Sequence, residues 1–155
     1  MTADAPFDQN DFLFCRIAHG DVTAHEVYRG DRVVAFLDIC PIRTGHVQIS
    51  PIAHYETFEQ LPLNLVTEIV GLGQKVAHVQ KRLYGVDRVA FLFTGSDIPH
   101  VHAHVVPIVE KTDITSRRYI VEEDVTWRDL PTPGDPVLAS TAEVIAQGLR
   151  DQGLP

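Results

Sequence analysis

Nine residues constrain this chain more than any others: Pro99-His100-Val101-His102-Ala103-His104-Val105-Val106-Pro107. Three histidines alternate with small or β-branched apolar residues, which is a period of two. On an extended strand all three imidazoles leave one face, with neighbouring rings rooted about 6.7 Å apart. Val101, Ala103 and Val105 then face the opposite way, into a core. The flanking prolines fit strand boundaries rather than strand interior. With 8 His among 155 residues, a chance cluster at such regular spacing is disfavoured. Three readings remain open on spacing alone. One imidazole acts as a nucleophile with its neighbours as positioners or acids. Two or three rings hold a metal. Or the rings form a buried structural set, each with its own partner. Direct chemistry carries the most weight.

His100 to Pro107 resembles the signature of the histidine triad superfamily, H-φ-H-φ-H-φ-φ with φ apolar. Two upstream segments resemble the same family: Val34-Ala35-Phe36-Leu37-Asp38-Ile39 with Pro41, and Gly45-His46-Val47-Gln48-Ile49-Ser50-Pro51 through His54. Order and spacing match over roughly residues 12 to 108. The resemblance implies that His102 is a nucleophile attacking the α-phosphorus of a bound nucleotide. It implies that His100 and His46 orient and polarise around that centre, while His104 bonds a phosphoryl oxygen or assists the leaving group. Asp38 is implied as the acceptor for both ribose hydroxyls, because a carboxylate offers two oxygens to a vicinal diol. Ile39 is implied as a wall for the base. Branches that transfer the nucleotidyl group commonly carry Gln at the position of His104, so a histidine there points towards hydrolysis. The implied ligand is a purine nucleotide such as an AMP derivative, with a phosphoramidate or polyphosphate leaving group.

The sequence departs from its relatives at two places. Thr94-Gly95-Ser96-Asp97 is shorter than the usual glycine-rich loop and lacks its amides. Ser96, and N–H groups freed by Gly95, are candidates for phosphate contacts; a tight turn is the plainer reading. Many relatives also use two cysteines with His54 and His100 equivalents for structural zinc. Cys15 is present, but Phe12 stands where the first cysteine would be. Tetrahedral structural zinc uses four ligands, so no metal and no other cofactor is expected, and Cys15 reads as core.

A formal charge of −8 and no basic run longer than two residues argue against a nucleic-acid binder. Met1 to Gln9 has two aspartates and no apolar run, unlike a signal peptide, and no segment approaches a membrane span. The expected setting is cytoplasmic, with Cys15 and Cys40 reduced.

Residues 1–11 are expected to be a flexible N-terminus, 12–108 the triad domain, and 109–155 an extension packing on that domain or a dimer partner. Phe12 to Ala18 reads as a short helix stopped by Gly20, and residues 25–29 and 32–38 as strands around Gly30-Asp31. His25 reads as a surface strand residue. Thr57-Phe58-Glu59-Gln60 looks like a capping box ahead of a long helix, with Pro62 near its first turn. Leu65, Val66, Ile69, Leu72, Val76, Val79 and Leu83 recur at helical spacing up to Gly85. Gly71 and Gly73 read as sites of close packing on a sheet. Arg88 to Thr94, apolar throughout, reads as a strand buried on both faces. Thr115 to Ile120 reads as a strand or arm, Trp127 as a residue that packs on this domain or leans over a partner's pocket, and Val137 to Leu149 as an amphipathic helix. The expected fold is α+β: a five-stranded, mostly antiparallel sheet with one long helix and a short N-terminal helix. Relatives of this pattern form dimers whose sheets join edge to edge, so a homodimer is implied.

Overall fold

The computed structural model describes residues 12–94, 97–114 and 129–154. The expectations for residues 1–11, Gly95, Ser96, Thr115 to Ile120 and Trp127 fall outside those ranges. The fold is α+β, built on one open sheet. Its strands are β1 (Glu26–Arg29), β2 (Val33–Leu37), β3 (Val47–Pro51), β4 (Arg88–Thr94) and β5 (His102–Ile108). They run in the order β1-β2-β3-β5-β4, and every pairing is antiparallel.

Strand alternation divides the sheet into two faces with different occupants. Val33, Ala35, Leu37, Val47, Ile49, Ala103 and Val105 point to one side and form the main core. That side is covered by α2 (Leu63–Tyr84), whose Leu65, Ile69, Leu72, Val76 and Val79 meet the strands. Val34 and Phe36 point to the other side, where α1 (Leu13–His19) places Phe14, Ile17 and Ala18. His102 and His104 share this second side, because each is one residue out of step with Ala103 and Val105. The triad strand thus packs core with one set of side chains and presents chemistry with the other.

The two glycines of α2 behave differently. A Cβ on Gly73 would lie 2.5 Å from the Phe91 ring, so Gly73 lets α2 close onto β4. Gly71 faces open space instead. Leu83, expected in the core, is 37% exposed because it lies at the trailing end of the stripe. The segment Thr57 to Gln60 forms a single 3-10 turn rather than capping α2. There Thr57 donates to Glu59 at 2.7 Å and the Glu56 N–H donates to Gln60 at 3.0 Å, so no reciprocal box forms. Pro62 takes the N-cap position of α2.

β4 is not buried on both faces. It is the outer strand, half-buried along its middle, because only Val89, Phe91 and Phe93 turn towards the core. At the opposite edge, α3 (Asp135–Arg150) packs Leu138, Ala142, Ile145 and Leu149 into the main core beside Val27. Gly148 sits so close to Val79 that a Cβ would meet it at 2.7 Å. No described helix is long and apolar enough to cross a membrane.

Candidate active site

His102 opens β5, and its ring is held by the backbone just before it. Nδ1–H donates to the main-chain carbonyl of His100 at 2.7 Å. With Nδ1 committed as the donor, a neutral ring carries its lone pair on Nε2. The Phe14 ring meets His102 edge-on at 4.8 Å and fixes its other side. Burial lowers the His102 pKa below the ordinary histidine value, against smaller opposing pulls from the bond to the His100 carbonyl and from Asp38 and Asp97. The ring is therefore neutral at physiological pH, as a nucleophile requires.

A second line of polar groups runs beside it. The backbone N–H of Ile42 donates to His46 Nδ1 at 3.3 Å. His46 Nε2 lies 2.8 Å from His104 Nδ1, and His104 Nε2 lies 3.0 Å from Thr94 Oγ1. Burial lowers the pKa of His46, and burial with two imidazole neighbours lowers that of His104 to about 4. Sequence reasoning passed over Thr94, although as the end of β4 it pairs directly with His102 across the sheet.

Asp38 follows β2 and is fixed from two sides. Its Oδ1 accepts the Cys40 N–H at 2.8 Å, and its Oδ2 accepts the Gln48 carboxamide N–H at 2.6 Å. Gln48 was also missed as a site residue, although its place opposite His104 in the β3–β5 pairing puts it on the chemical face. It is 7% exposed, and its Oε1 has no hydrogen-bond partner among the described residues.

These groups border a cleft of about 510 Å³ on the α1 side of the sheet. His102, His104, Thr94, Gln48, Asp38 and Ile39 all line it. Leu13, Phe14, Ile17 and Phe36 form its apolar wall, and no described lining residue is Lys or Arg. His25 is not a plain surface residue. It lines the cleft and lies 3.3 Å from Asp135 at the start of α3, so the loop before β1 and the C-terminal helix meet at the rim. Gly95 and Ser96 lie outside the described residues.

His100 has a different place from its two companions. It precedes β5, is fully buried, and does not line the cleft. Its Nε2–H donates to the Pro51 carbonyl at 2.9 Å, leaving Nδ1 to accept from Cys15 Sγ at 3.0 Å. His54 Nδ1 lies 3.2 Å from the same sulfur and 3.4 Å from His100 Nδ1. Burial lowers the His100 pKa to about 4 and raises that of the Cys15 thiol. His100 meets His102 through its carbonyl, while its ring is bonded to Pro51 and Cys15. And His100, His102 and His104 do not converge on one metal, because the backbone ahead of β5 turns His100 towards α1. The converging donor sets are Cys15-His54-His100 and Asp38-His46-His104. The first offers three donors where a closed zinc centre uses four. Phe12 supplies a ring instead, stacked on His54 at 5.5 Å. Cys15 is thus a bonded member of this cluster rather than plain core, and both cysteines are free.

The family model of the HIT domain matches residues 19–111. An uncharacterized HIT-like protein of Methanocaldococcus jannaschii is 33% identical over 102 residues, 63% of this chain and 79% of that protein. An adenylylsulfatase of Arabidopsis thaliana is 30% identical over 108 residues, 66% of this chain and 55% of that one. An adenosine 5'-monophosphoramidase of Saccharomyces cerevisiae is 27% identical over 108 residues, 69% and 68% of the two chains. Among solved structures, a HIT-like protein from Bartonella henselae superposes with a TM-score of 0.72 at 20% identity, covering 91% of this chain and 98% of that one. With the triad strand, its paired histidines and the antiparallel sheet in place, the match over more than half of the chain settles its kinship: this protein belongs to the HIT, or histidine triad, family.

Proposed function

We propose that the protein hydrolyses nucleotide derivatives through a covalent nucleotidyl-histidine on His102, releasing a nucleoside monophosphate. The observation that carries this reading is the 2.7 Å bond from His102 Nδ1–H to the His100 carbonyl, which leaves the Nε2 lone pair at a cleft that also holds Asp38. In the first step Nε2 attacks the α-phosphorus, a P–N bond forms, and the leaving group departs with the bonding pair and takes a proton. In the second step water attacks phosphorus, the P–N bond breaks, and its electron pair returns to Nε2. The proton that water loses balances the one the leaving group took. His104, fed by His46, directs its Nε2–H to Thr94 Oγ1 at the edge of the cleft beside the reacting phosphorus. Asp38 receives the ribose hydroxyls, and Ile39 with the apolar wall receives the base.

The named activities of the Arabidopsis and yeast relatives support an adenylyl group as the part retained. They differ in leaving group, one a sulfate and the other an amine, which fits a site that grips the nucleotide rather than what departs. No metal takes part in this scheme. The half-buried outer strand β4 supports pairing with a second copy, which would cover its open edge.

The test is intact-protein mass after mixing with an adenosine phosphoramidate and quenching, for wild type and His102→Ala. An adenylyl adduct in the wild type alone, with AMP accumulating, is expected. AMP binding without adduct or turnover would replace the hydrolase by a nucleotide-binding module.

A further inference from the structure

We propose that Thr94 is a further catalytic residue, whose hydroxyl donates to a non-bridging oxygen of the phosphoryl group attacked by His102. This rests on the reading of the cleft as a nucleotidyl-transfer site.

The direction of every hydrogen bond leading to Thr94 is fixed by one backbone group. The Ile42 N–H can only donate, and the Asp38 carboxylate, 3.8 Å away, is out of hydrogen-bond reach, so His46 Nδ1 accepts and carries no proton. Burial keeps His46 neutral, so its proton is on Nε2 and points at His104 Nδ1, 2.8 Å away. His104 Nδ1 is then an acceptor too, and the neutral ring carries its proton on Nε2. That N–H donates to Thr94 Oγ1 at 3.0 Å. The Thr94 oxygen thus receives the end of a one-way chain, and its own O–H must donate elsewhere. No described protein group accepts it, and Thr94 is exposed on the cleft.

Position and charge say what the hydroxyl meets. Thr94 pairs with His102 across β4 and β5, so its side chain lies beside the nucleophile. A phosphorus in reach of His102 Nε2 brings two non-bridging oxygens that share a negative charge into a cleft without a described Lys or Arg. Neutral donors must carry that charge, and a hydroxyl already polarised by an incoming N–H is the stronger donor for it.

The experiment uses the full chain with Thr94→Val, which is nearly isosteric, and Thr94→Ser, which keeps the hydroxyl. Unchanged melting temperatures establish that the variants fold. Binding of AMP and of adenosine is measured by calorimetry, since only AMP carries the phosphoryl group. Thr94→Val should lower the AMP-to-adenosine affinity ratio about tenfold with adenosine binding unchanged, and Thr94→Ser should restore it. Single-turnover adenylylation with the two phosphorothioate diastereomers should show a preference in wild type that collapses in Thr94→Val. An unchanged affinity ratio in Thr94→Val overturns the assignment, whether or not the protein turns over substrate. A reduced ratio in a wild type that forms no adduct upholds Thr94 and overturns the hydrolase reading instead. Should Thr94→Val melt early, Thr94→Ala is judged by the same ratio.

Discussion

The carbonyl of His100 and Nδ1 of His102 are 2.7 Å apart, and this contact joins a fully buried histidine to one that lines the cleft. It holds one tautomer, and burial keeps that ring neutral. With the neutral form as the proposed nucleophile, activity is lost only as pH falls through a pKa lowered from the ordinary value. With a substrate that does not titrate in this range, kcat/KM should be level around pH 7 and turn down below about 6.5. A pH–rate profile whose acid limb begins above that value contradicts the environment described for His102.

Stability should follow pH through different groups. His100 and His104 both have pKa values lowered to about 4 by burial, while in the unfolded chain they titrate near the usual value. Between about 6.5 and 4 the unfolded state therefore binds more protons, and stability falls as pH falls across that window. Each fully effective group adds a slope of about 1.4 kcal/mol per pH unit, and the partly exposed His104 adds less. Urea midpoints measured from pH 7 to pH 4.5 should decline steadily. A flat series would mean that neither ring is held neutral.

The Cys15-His54-His100 cluster is held together by hydrogen bonds, with Phe12 at its side. Chelator should leave the melting temperature of the wild type unchanged. Phe12→Cys should bring the donors to four, bind one zinc per chain, and make the melting temperature chelator-sensitive. Stoichiometric zinc in the wild type as purified, with a drop in melting temperature on its removal, would refute this account.

Gln48 has a buried carbonyl oxygen without a partner among the described residues and a carboxamide N–H fixed on Asp38. Gln48→Leu removes both. The variant should lose about 1 kcal/mol in stability, because the loss of the charge-assisted bond to Asp38 outweighs the relief of an unsatisfied buried acceptor. It should bind AMP about tenfold more weakly, because Asp38 loses the donor that orients it. Equal AMP affinity in the two proteins would show that the carboxamide has no part in placing Asp38.

The period of two in His100 to Val105 was enough to read the strand, its buried face and the paired rings of His102 and His104, because alternation is a local property of the backbone. It misled at His100, since the strand begins only at His102 and the turn before it redirects the ring. Arg88 to Thr94 was read as doubly buried from its composition, yet burial of a strand depends on its place in the sheet, which only pairing decides. Thr94, Gln48 and His25 escaped for the same reason. Each is an ordinary strand or loop residue until strand register and packing bring it to the cleft. Gly73 and Gly71 could not be told apart by sequence, because only the position of Phe91 makes one of them necessary.

The pairing of His25 with Asp135 has a consequence for how such a protein can diversify. The match to the family ends at residue 111, whereas Asp135 belongs to the helix that follows. The cleft is therefore encoded in two parts, a reactive floor within the shared domain and a piece of its rim in an appendage. Substitutions in that appendage can reshape what enters the cleft while every histidine keeps its neighbours. Selection can retune recognition and chemistry separately, on different stretches of one gene.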